Sequence, residues 1–479
     1  MSDHETSRRW LALYVLCGAS LMIVLDATIV NVALPSIRSD LGFSETSLAW
    51  VVNAYTLTFG GFLLLGGRLG DLYGHRRLFL AGISLFTLAS AGCGIAGSQG
   101  FLVASRAVQG VGGAIASAVS LSLLMTLFTE PGDRAKAMGV FGFVASGGGS
   151  IGVLLGGVLT DVLNWHWIFL VNLPIGVAVI LLSARLLPAR PALAHGLRLD
   201  IAGAITVTCA LMLAVYAVVN GNQKGWTSAQ TVGTLAAAAA VFGVFLLIEW
   251  RVSSPLMPLG LFRKRNLSTA SVVGMLWAAA MFAWFFLSAL YLQLVLGYTP
   301  LQVGLAFLPG NLVMGALSLG FSAKIVMRYG IKRPLAIGLG LAAVGLLLFA
   351  RAPIDGQFVT DVLPGMLLLG IGAGIAFNPV LMAAMSDVAP EEAGLASGVV
   401  NTAFMMGGAL GLAVLASVAA SRTASLGGAG DVSALLAGYH LAFLVGAIFA
   451  LAAAATGVAM FRVGSAMQPA HAEPALEHG

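Results

Sequence analysis

The sequence predicts an all-α polytopic membrane protein with fourteen transmembrane helices, built as two pseudo-symmetric six-helix bundles plus two inserted helices. Composition is the first observation, because 59% of the 479 residues are apolar and only 9% are charged, whereas soluble domains carry about 25% charged residues. The second is a series of apolar runs, each long enough to cross a hydrocarbon core of about 30 Å. The third is an internal repeat. The fourteen runs lie at 10–36, 46–66, 78–97, 100–128, 137–160, 166–187, 199–219, 230–250, 267–296, 300–323, 333–351, 359–385, 395–420 and 435–461.

The basic residues are divided unequally between the two sides of these runs. Nineteen lysines and arginines fall on one side and four on the other. Cytoplasmic loops are enriched in these residues, so we predict a multi-pass protein of the cell inner membrane, with both termini cytoplasmic and short tails at 1–9 and 463–479. This topology accounts for the net charge of +5 without a nucleic-acid partner. Cys17, Cys93 and Cys209 lie in separate runs, which favours packing roles over a disulfide or a metal site.

Segments of the first half recur in the second half. Residues 69–78 are echoed by 325–334, and residues 109–113 by 369–373, so that the offset is 256 to 260 residues. Parallel repeats of this kind place a substrate site near the membrane midplane between the halves, and rocking of the halves gives alternating access. The predicted units are a first bundle at 10–187, two inserted helices at 199–250 and a second bundle at 267–462.

Asp26 is a carboxylate in the middle of an apolar run. At about 1.5 Å rise per residue it lies roughly 24 Å from a helix start near Trp10 and about 14 Å from Pro35. A charge at such depth is costly and usually marks an ion or substrate path. We therefore predict that Asp26 is a proton-coupling residue. The alternative is a buried aspartate that holds two helices together by hydrogen bonds.

Arg106 is the other deep charge, roughly 10 Å into its helix. It shares a helix face with Gln109 and Gly113, which follow at i+3 and i+7. We predict that Arg106 sets the proton affinity of Asp26, either directly or through water. The alternative is an arginine held by backbone carbonyls.

The second half has no deep acid that corresponds to Asp26, but it supplies aromatic side chains. A cavity with one carboxylate wall and one aromatic wall suits bulky amphipathic or cationic compounds. For each candidate, the alternative is packing between helices. The predicted cavity residues are Asn53, Thr56, Gln109, Trp277, Trp284, Tyr291, Gln293, Asn311 and Asn378.

A glycine-rich cytoplasmic turn carries Asp71 and Arg76. We predict a gate in which Asp71 pairs with Arg134 of the next cytoplasmic loop. The alternative is a solvated loop acid or a helix cap.

Gly148, Gly152 and Gly156 repeat every four residues, with Gly157 beside them. Such a ridge of small residues predicts close helix packing, and a hinge is the alternative.

Four segments resemble signatures of a known family. Residues 67–77 resemble the cytoplasmic loop of the major facilitator superfamily, and residues 106–114 resemble its fourth-helix motif, whose arginine is associated with proton transfer. Residues 25–35 resemble the first-helix motif of the drug–proton antiporters, and residues 164–176 are similar to a stretch typical of the fourteen-helix branch. Val153 departs from the pattern, because the fifth-helix antiporter motif carries proline there.

The resemblance implies proton-coupled export of lipophilic or cationic small molecules, including drugs and antibiotics, by a rocker-switch mechanism. The proton gradient is the energy source, no cofactor or metal is expected, and the protein is expected to be a transporter rather than an enzyme, acting as a monomer in the lipid bilayer. In the predicted cycle, protons from outside load Asp26, and their release inside restores an anion that attracts a cationic group. One alternative is a narrow exporter of a single antibiotic, siderophore or amino acid. Another is a membrane sensor or scaffold that does not transport.

Overall fold

The computed structural model describes residues 3–188, 200–252, 255–388 and 393–462, and the regular secondary structure of these residues is helical throughout. Up to residue 251, the helices are α1 (Asp3–Leu41), α2 (Glu45–Leu48), α3 (Trp50–Tyr73), α4 (His75–Gly94), α5 (Gln99–Leu127), α6 (Pro131–Val162), α7 (Trp167–Leu170), α8 (Asn172–Leu186), α9 (Ile201–Lys224) and α10 (Ala229–Arg251). Beyond it they are α11 (Arg265–Leu290), α12 (Pro300–Ala316), α13 (Ser322–Tyr329), α14 (Lys332–Phe349), α15 (Leu363–Met385), α16 (Ala393–Ser425) and α17 (Val432–Met460). A 3₁₀ turn covers Leu259–Arg263, and π-helical turns cover Tyr291–Val295, Leu317–Phe321 and Phe358–Val362.

Two glycines at corresponding points of the repeat set sharp turns. Gly74 separates α3 from α4 with a φ of 91°, and Gly330 follows α13 with a φ of 74°. Residues with a Cβ rarely adopt this left-handed region. The internal repeat is therefore also present in the backbone conformation, because both turns depend on a glycine with positive φ.

Many of the helices match the predicted spans. In the described part of the chain, twelve helices are long and apolar enough to cross a membrane. Two further apolar helices are shorter, at Ile151–Val162 and Pro300–Ala316. The first is the end of α6, and the second is followed by a π-helical turn that connects α12 to α13. The prediction of an all-helical polytopic membrane protein is confirmed.

The helix contacts follow a repeated pattern. In the first half, α1 contacts α6 and α8, whereas α5 contacts α3 and α4. In the second half, α11 contacts α16 and α17, whereas α15 contacts α12 and α14. The halves meet through α6 with α12 and through α3 with α16. Helix α9 contacts α10, α3 and α16, so it lies against one of the two junctions between the halves.

The halves are in close contact toward one end of the bundle, which we call the Gly42 end because the turn after α1 lies there. The opposite end is called the Gly74 end. Gln293 Nε2 donates a hydrogen bond to Val32 O at 2.8 Å, which joins the region after α11 to α1. A Cβ on Gly304 would lie 2.9 Å from Val153 O, so α12 and α6 are in backbone contact. Val153, at the position where the antiporter motif that the sequence resembles carries proline, is buried at this junction.

Candidate functional site

Asp26 lies at the centre of a buried polar network that joins α1, α4, α5 and α8. Arg106 Nη1 donates to Asp26 Oδ2. Gln109 Nε2 and Asn172 Nδ2 donate to Asp26 Oδ1 at 2.7 and 2.9 Å. Gln109 Nε2 also donates to Ser90 Oγ at 2.7 Å. All of the donors to Asp26 are complementary to an ionised carboxylate, which is an acceptor-only group.

Arg106 is held on several sides. Its Nε donates to Val51 O at 2.9 Å, and its Nη1 also donates to Gln109 Oε1 at 2.7 Å. The guanidinium carbon lies 4.4 Å from the ring centroid of Tyr55 and 5.5 Å from that of Phe169. Arg106 pairs directly with Asp26 and also bonds a backbone carbonyl, and its effect on the proton affinity of Asp26 stays a prediction.

The ion pair is shielded from solvent. Asp26 and Arg106 are each 0% exposed. Removal of one partner of such a pair leaves an uncompensated buried charge, which is strongly unfavourable. The two charges therefore depend on each other for stabilisation.

A central cavity of about 290 Å³ lies beside this network. One wall comes from α1, α3 and α5, and the other comes from α11 and α16. Arg106 borders the cavity although its side chain is fully buried, and Asp26 is not among the lining residues. The full lining is Ile23, Val24, Ala27, Thr28, Asn31, Val52, Tyr55, Thr56, Phe59, Arg106, Met281, Phe282, Phe285, Phe404 and Met405.

The small polar side chains of the cavity wall donate hydrogen bonds to backbone carbonyls of their own helices. Thr28 Oγ1 donates to Val24 O at 3.1 Å, and Thr56 Oγ1 donates to Val52 O at 3.0 Å. Asn31 Nδ2 donates to Thr28 O at 3.2 Å. The oxygens of these side chains therefore remain as hydrogen-bond acceptors. The opposite wall is aromatic and contains the thioethers of Met281 and Met405.

Thr56 is the predicted cavity residue that lies on this wall, and Gln109 instead belongs to the Asp26 network. The predicted tryptophans lie elsewhere. Trp284 is 1% exposed and contacts Phe285 and Phe307. Trp277 is 2% exposed and borders a separate small void of about 20 Å³. Helix packing turns these rings away from the cavity, so their assignment to its wall is wrong for this conformation.

The remaining predicted polar residues bind neighbouring helices or are enclosed. Tyr291 donates its hydroxyl proton to Pro353 O at 2.8 Å, Gln293 bonds α1, and Asn378 Nδ2 donates to Ser318 O at 3.0 Å. Asn53 and Asn311 are buried away from this cavity. Polar groups inside a helix bundle bond nearby carbonyls where they can reach them, and this explains why Tyr291, Gln293 and Asn378 do not line the cavity.

The predicted gate lies partly outside the described residues. The side chains of Asp71 and Arg134 belong to the part that is not described, so the pairing between them stays a prediction. Arg76 Nη2 donates to Ala184 O, which connects the start of α4 to the end of α8. Nearby, Arg9 and Asp133 form an ion pair at 3.7 Å.

The glycine ridge of α6 faces two partners. Gly148, Gly152 and Gly156 lie along α1; a Cβ on Gly156 would lie 2.6 Å from Ile29 O. Gly157 faces α12 instead, where a Cβ would lie 2.6 Å from Pro300 O. The ridge therefore supports contacts within one half, and its last glycine supports contact between the halves.

Three contributors to the site are absent from the sequence prediction. Asn172 and Ser90 complete the network around Asp26, and Tyr55 lies between Arg106 and the cavity residue Phe59. A lone asparagine two residues before Pro174 in an apolar run is the available signal for Asn172. Ser90 and Tyr55 carry no comparable signal, because single serines and tyrosines are common in packed helices.

A helical membrane bundle with a buried ion pair beside a cavity between its halves is the architecture of a transporter. A family model of the Major Facilitator Superfamily matches residues 16–412, and the chain belongs to this superfamily.

Several relatives have printed names that describe resistance or export. The chain is 41% identical over 420 residues to the puromycin resistance protein pur8 of Streptomyces alboniger, covering 87% of this chain and 83% of that protein. It is 39% identical over 453 residues to the cephamycin export protein CmcT of Amycolatopsis lactamdurans, covering 94% and 92%. It is 38% identical over 400 residues to the multidrug resistance protein Stp of Mycobacterium tuberculosis, covering 84% and 74%.

Among solved structures, a mutant of the nucleoside transporter NupG superposes with a TM-score of 0.67 at 12% identity. The match covers 94% of this chain and 100% of that one. At this identity the likeness supports the fold alone.

Proposed function

We propose that the protein exports lipophilic or cationic small molecules, drugs and antibiotics among them, in exchange for protons. The names of its relatives support export. The observation that carries the proton coupling is the arrangement of the ion pair, in which the cation reaches the cavity wall and the acid lies behind it.

This arrangement changes the predicted cycle, because Asp26 does not face the substrate. While Asp26 is ionised, the pair is neutral and the acceptor oxygens and aromatic rings of the wall accept a cationic or hydrogen-bond-donating compound. When Asp26 takes up a proton, Arg106 becomes an uncompensated cation on the wall. At roughly 6 Å and an effective dielectric constant of about 20, it repels a substrate cation by about 3 kcal/mol. Proton binding then weakens substrate binding on the order of 100-fold.

Mutual exclusion of proton and substrate is the condition for exchange. Binding of a proton from outside would release the substrate to the outside. Release of that proton to the cytoplasm would restore the ion pair between Asp26 and Arg106. The halves would rock between these states around the cavity.

The same proposal includes the architecture. The repeated helix contacts support two six-helix bundles with α9 and α10 inserted between them. Continuation of the two shorter apolar helices into neighbouring helical residues supports fourteen spans. The basic residues support an inner-membrane protein whose Gly74 end and termini are cytoplasmic. We expect a functional monomer that needs no cofactor, and a latch between Asp71 and Arg134 that closes the cytoplasmic side.

Transport in proteoliposomes tests the coupling. Substrate-dependent proton movement is measured with and without a pH gradient, on a panel of lipophilic cations and neutral drugs. Asp26→Asn is expected to abolish proton movement and accumulation against a gradient. Asp161→Asn is the matched control, because Asp161 is an exposed acid at the end of α6. Full proton coupling in Asp26→Asn would end the proposal.

A narrow exporter of one antibiotic is the second candidate. Relatives named for puromycin and cephamycin favour it. The same panel separates the two, since a narrow exporter would move one chemical class and leave dissimilar lipophilic cations untouched.

A further inference from the structure

A second cavity lies outside the Asp26 network, between the inserted helix α9, α16 and α17. Its volume is about 630 Å³, and it shares no residue with the central cavity. Its walls include Val218 of α9, Trp226 in the turn after α9, and Leu441 of α17. Val414, Val418 and Arg422 line it from α16. We call this cavity the α9–α16 groove.

The length of the groove is close to the thickness of one membrane leaflet. Val414, Val418 and Arg422 are spaced four residues apart, so they form one stripe along α16. From Val414 to Ser425, the lining residue nearest the end of α16, the helix rises roughly 16 Å. This rise is similar to the hydrocarbon thickness of one leaflet, which is half of a core of about 30 Å. The groove therefore has about the length of one leaflet and extends from the Gly42 end toward the middle of the bundle.

The groove changes character along this length. Its deep part includes the apolar side chains of Val218, Val414 and Leu441, whereas the part near the Gly42 end carries Arg422 and Trp226. Ser417, Ser421 and Ser425 also line it from α16, and the hydroxyls of Ser417 and Ser425 donate to Val218 O and Arg422 O. None of its lining residues is acidic. In the part of the chain that the structure describes, Arg422 forms no ion pair, and it is exposed at the end of α16. A tryptophan and an arginine at this depth belong to the headgroup region of a membrane.

We propose that the α9–α16 groove binds an anionic phospholipid, with one acyl chain along Val414 and Val418 and the phosphate at Arg422. A mostly apolar groove of one leaflet's length that ends at a single cation is complementary to an acyl chain that ends at a phosphodiester. Guanidinium groups bind phosphate oxygens in a bidentate manner. The inserted helix α9 forms one wall, so the site depends on one of the two helices that have no counterpart in the repeat.

Fluorescence quenching in nanodiscs tests the site without any transport. The protein is reconstituted with lipid that carries bromine on its acyl chain, as phosphatidylglycerol in one series and phosphatidylcholine in the other. The part of the quenching that is lost in Trp226→Phe reports the chain in the groove, because Trp226 lines it. Each brominated lipid is titrated into nanodiscs that contain the other lipid without bromine. The quenching of Trp226 then gives the relative affinity of the groove for the two lipids. We expect phosphatidylglycerol to be preferred about fivefold, the effect of one arginine near the surface.

Three variants decide the result. Arg422→Ala is expected to equalise the two lipids, and Val418→Phe is expected to remove the Trp226 signal for both because it fills the channel. Arg351→Ala is the matched control, because Arg351 is an exposed arginine at the same end that does not line the groove. Equal losses in Arg422→Ala and Arg351→Ala would show surface charge alone and overturn the proposal. Unchanged quenching in Trp226→Phe, or displacement of both lipids by an exported drug, would also overturn it.

Discussion

The ion pair between Asp26 and Arg106 makes a prediction about stability that is independent of transport. Both side chains are 0% exposed, and Asp26 Oδ2 accepts from Arg106 Nη1. We consider Asp26→Asn, Arg106→Gln and the double variant. Each single change removes one charge and leaves the other buried without its partner. The double change removes both charges and leaves polar side chains, although glutamine is shorter than the arginine that it replaces.

The expected magnitudes follow from burial. Breaking a buried pair by removing one partner costs about 3 to 5 kcal/mol, whereas replacing both partners by well-packed apolar residues of similar volume is often close to neutral. The network adds to the cost of Arg106→Gln, because Gln109 Oε1 and Val51 O also accept from Arg106. We therefore expect the double variant to be less destabilised than either single variant, with an interaction energy of about 3 kcal/mol or more between the two sites.

Reversible unfolding in mixed detergent and dodecyl sulfate micelles measures these differences as shifts of the midpoint. Asp161→Asn is again the control and should not move it. If the loss in the double variant equals the sum of the two single losses, the sites do not interact. The close pairing, and the proposed electrostatic link between proton and substrate, would then be refuted.

Three further predictions use neighbouring residues. Asn172→Ala removes a donor to the carboxylate of Asp26 and should destabilise the fold by about 1.5 to 3 kcal/mol in the same unfolding assay. Asn53→Ala, whose side chain has no hydrogen-bond partner among the described residues, should cost less in that assay. Gly156→Ala places a Cβ 2.6 Å from a carbonyl oxygen of α1 and should destabilise the fold by about 1 to 3 kcal/mol in the unfolding assay. Gly149→Ala is its control and should be neutral, because the new Cβ meets its nearest atom at 3.8 Å. Phe404→Ala removes an aromatic wall of the cavity and should weaken substrate binding about tenfold or more in equilibrium titrations.

Packing alone decided which polar residues meet the cavity. Asn53 and Thr56 are three residues apart on α3, yet Thr56 lies on the cavity wall and Asn53 does not. The rotation of a membrane helix about its axis is set by its neighbours and not by its own apolar content. For the same reason, the tryptophans of α11 pack between helices, although the sequence predicts that they line the cavity.

The sequence by itself determined the class of the protein and the depth of its two buried charges. Composition and run length are local properties, and the rise of a helix converts residue number directly into depth. Only the tertiary structure decided that Asn172, which is 146 residues away in the chain, completes the coordination of Asp26. It also decided that Arg106, and not Asp26, reaches the cavity. These relations depend on how separate helices rotate and approach one another, and a single sequence contains no measure of those quantities.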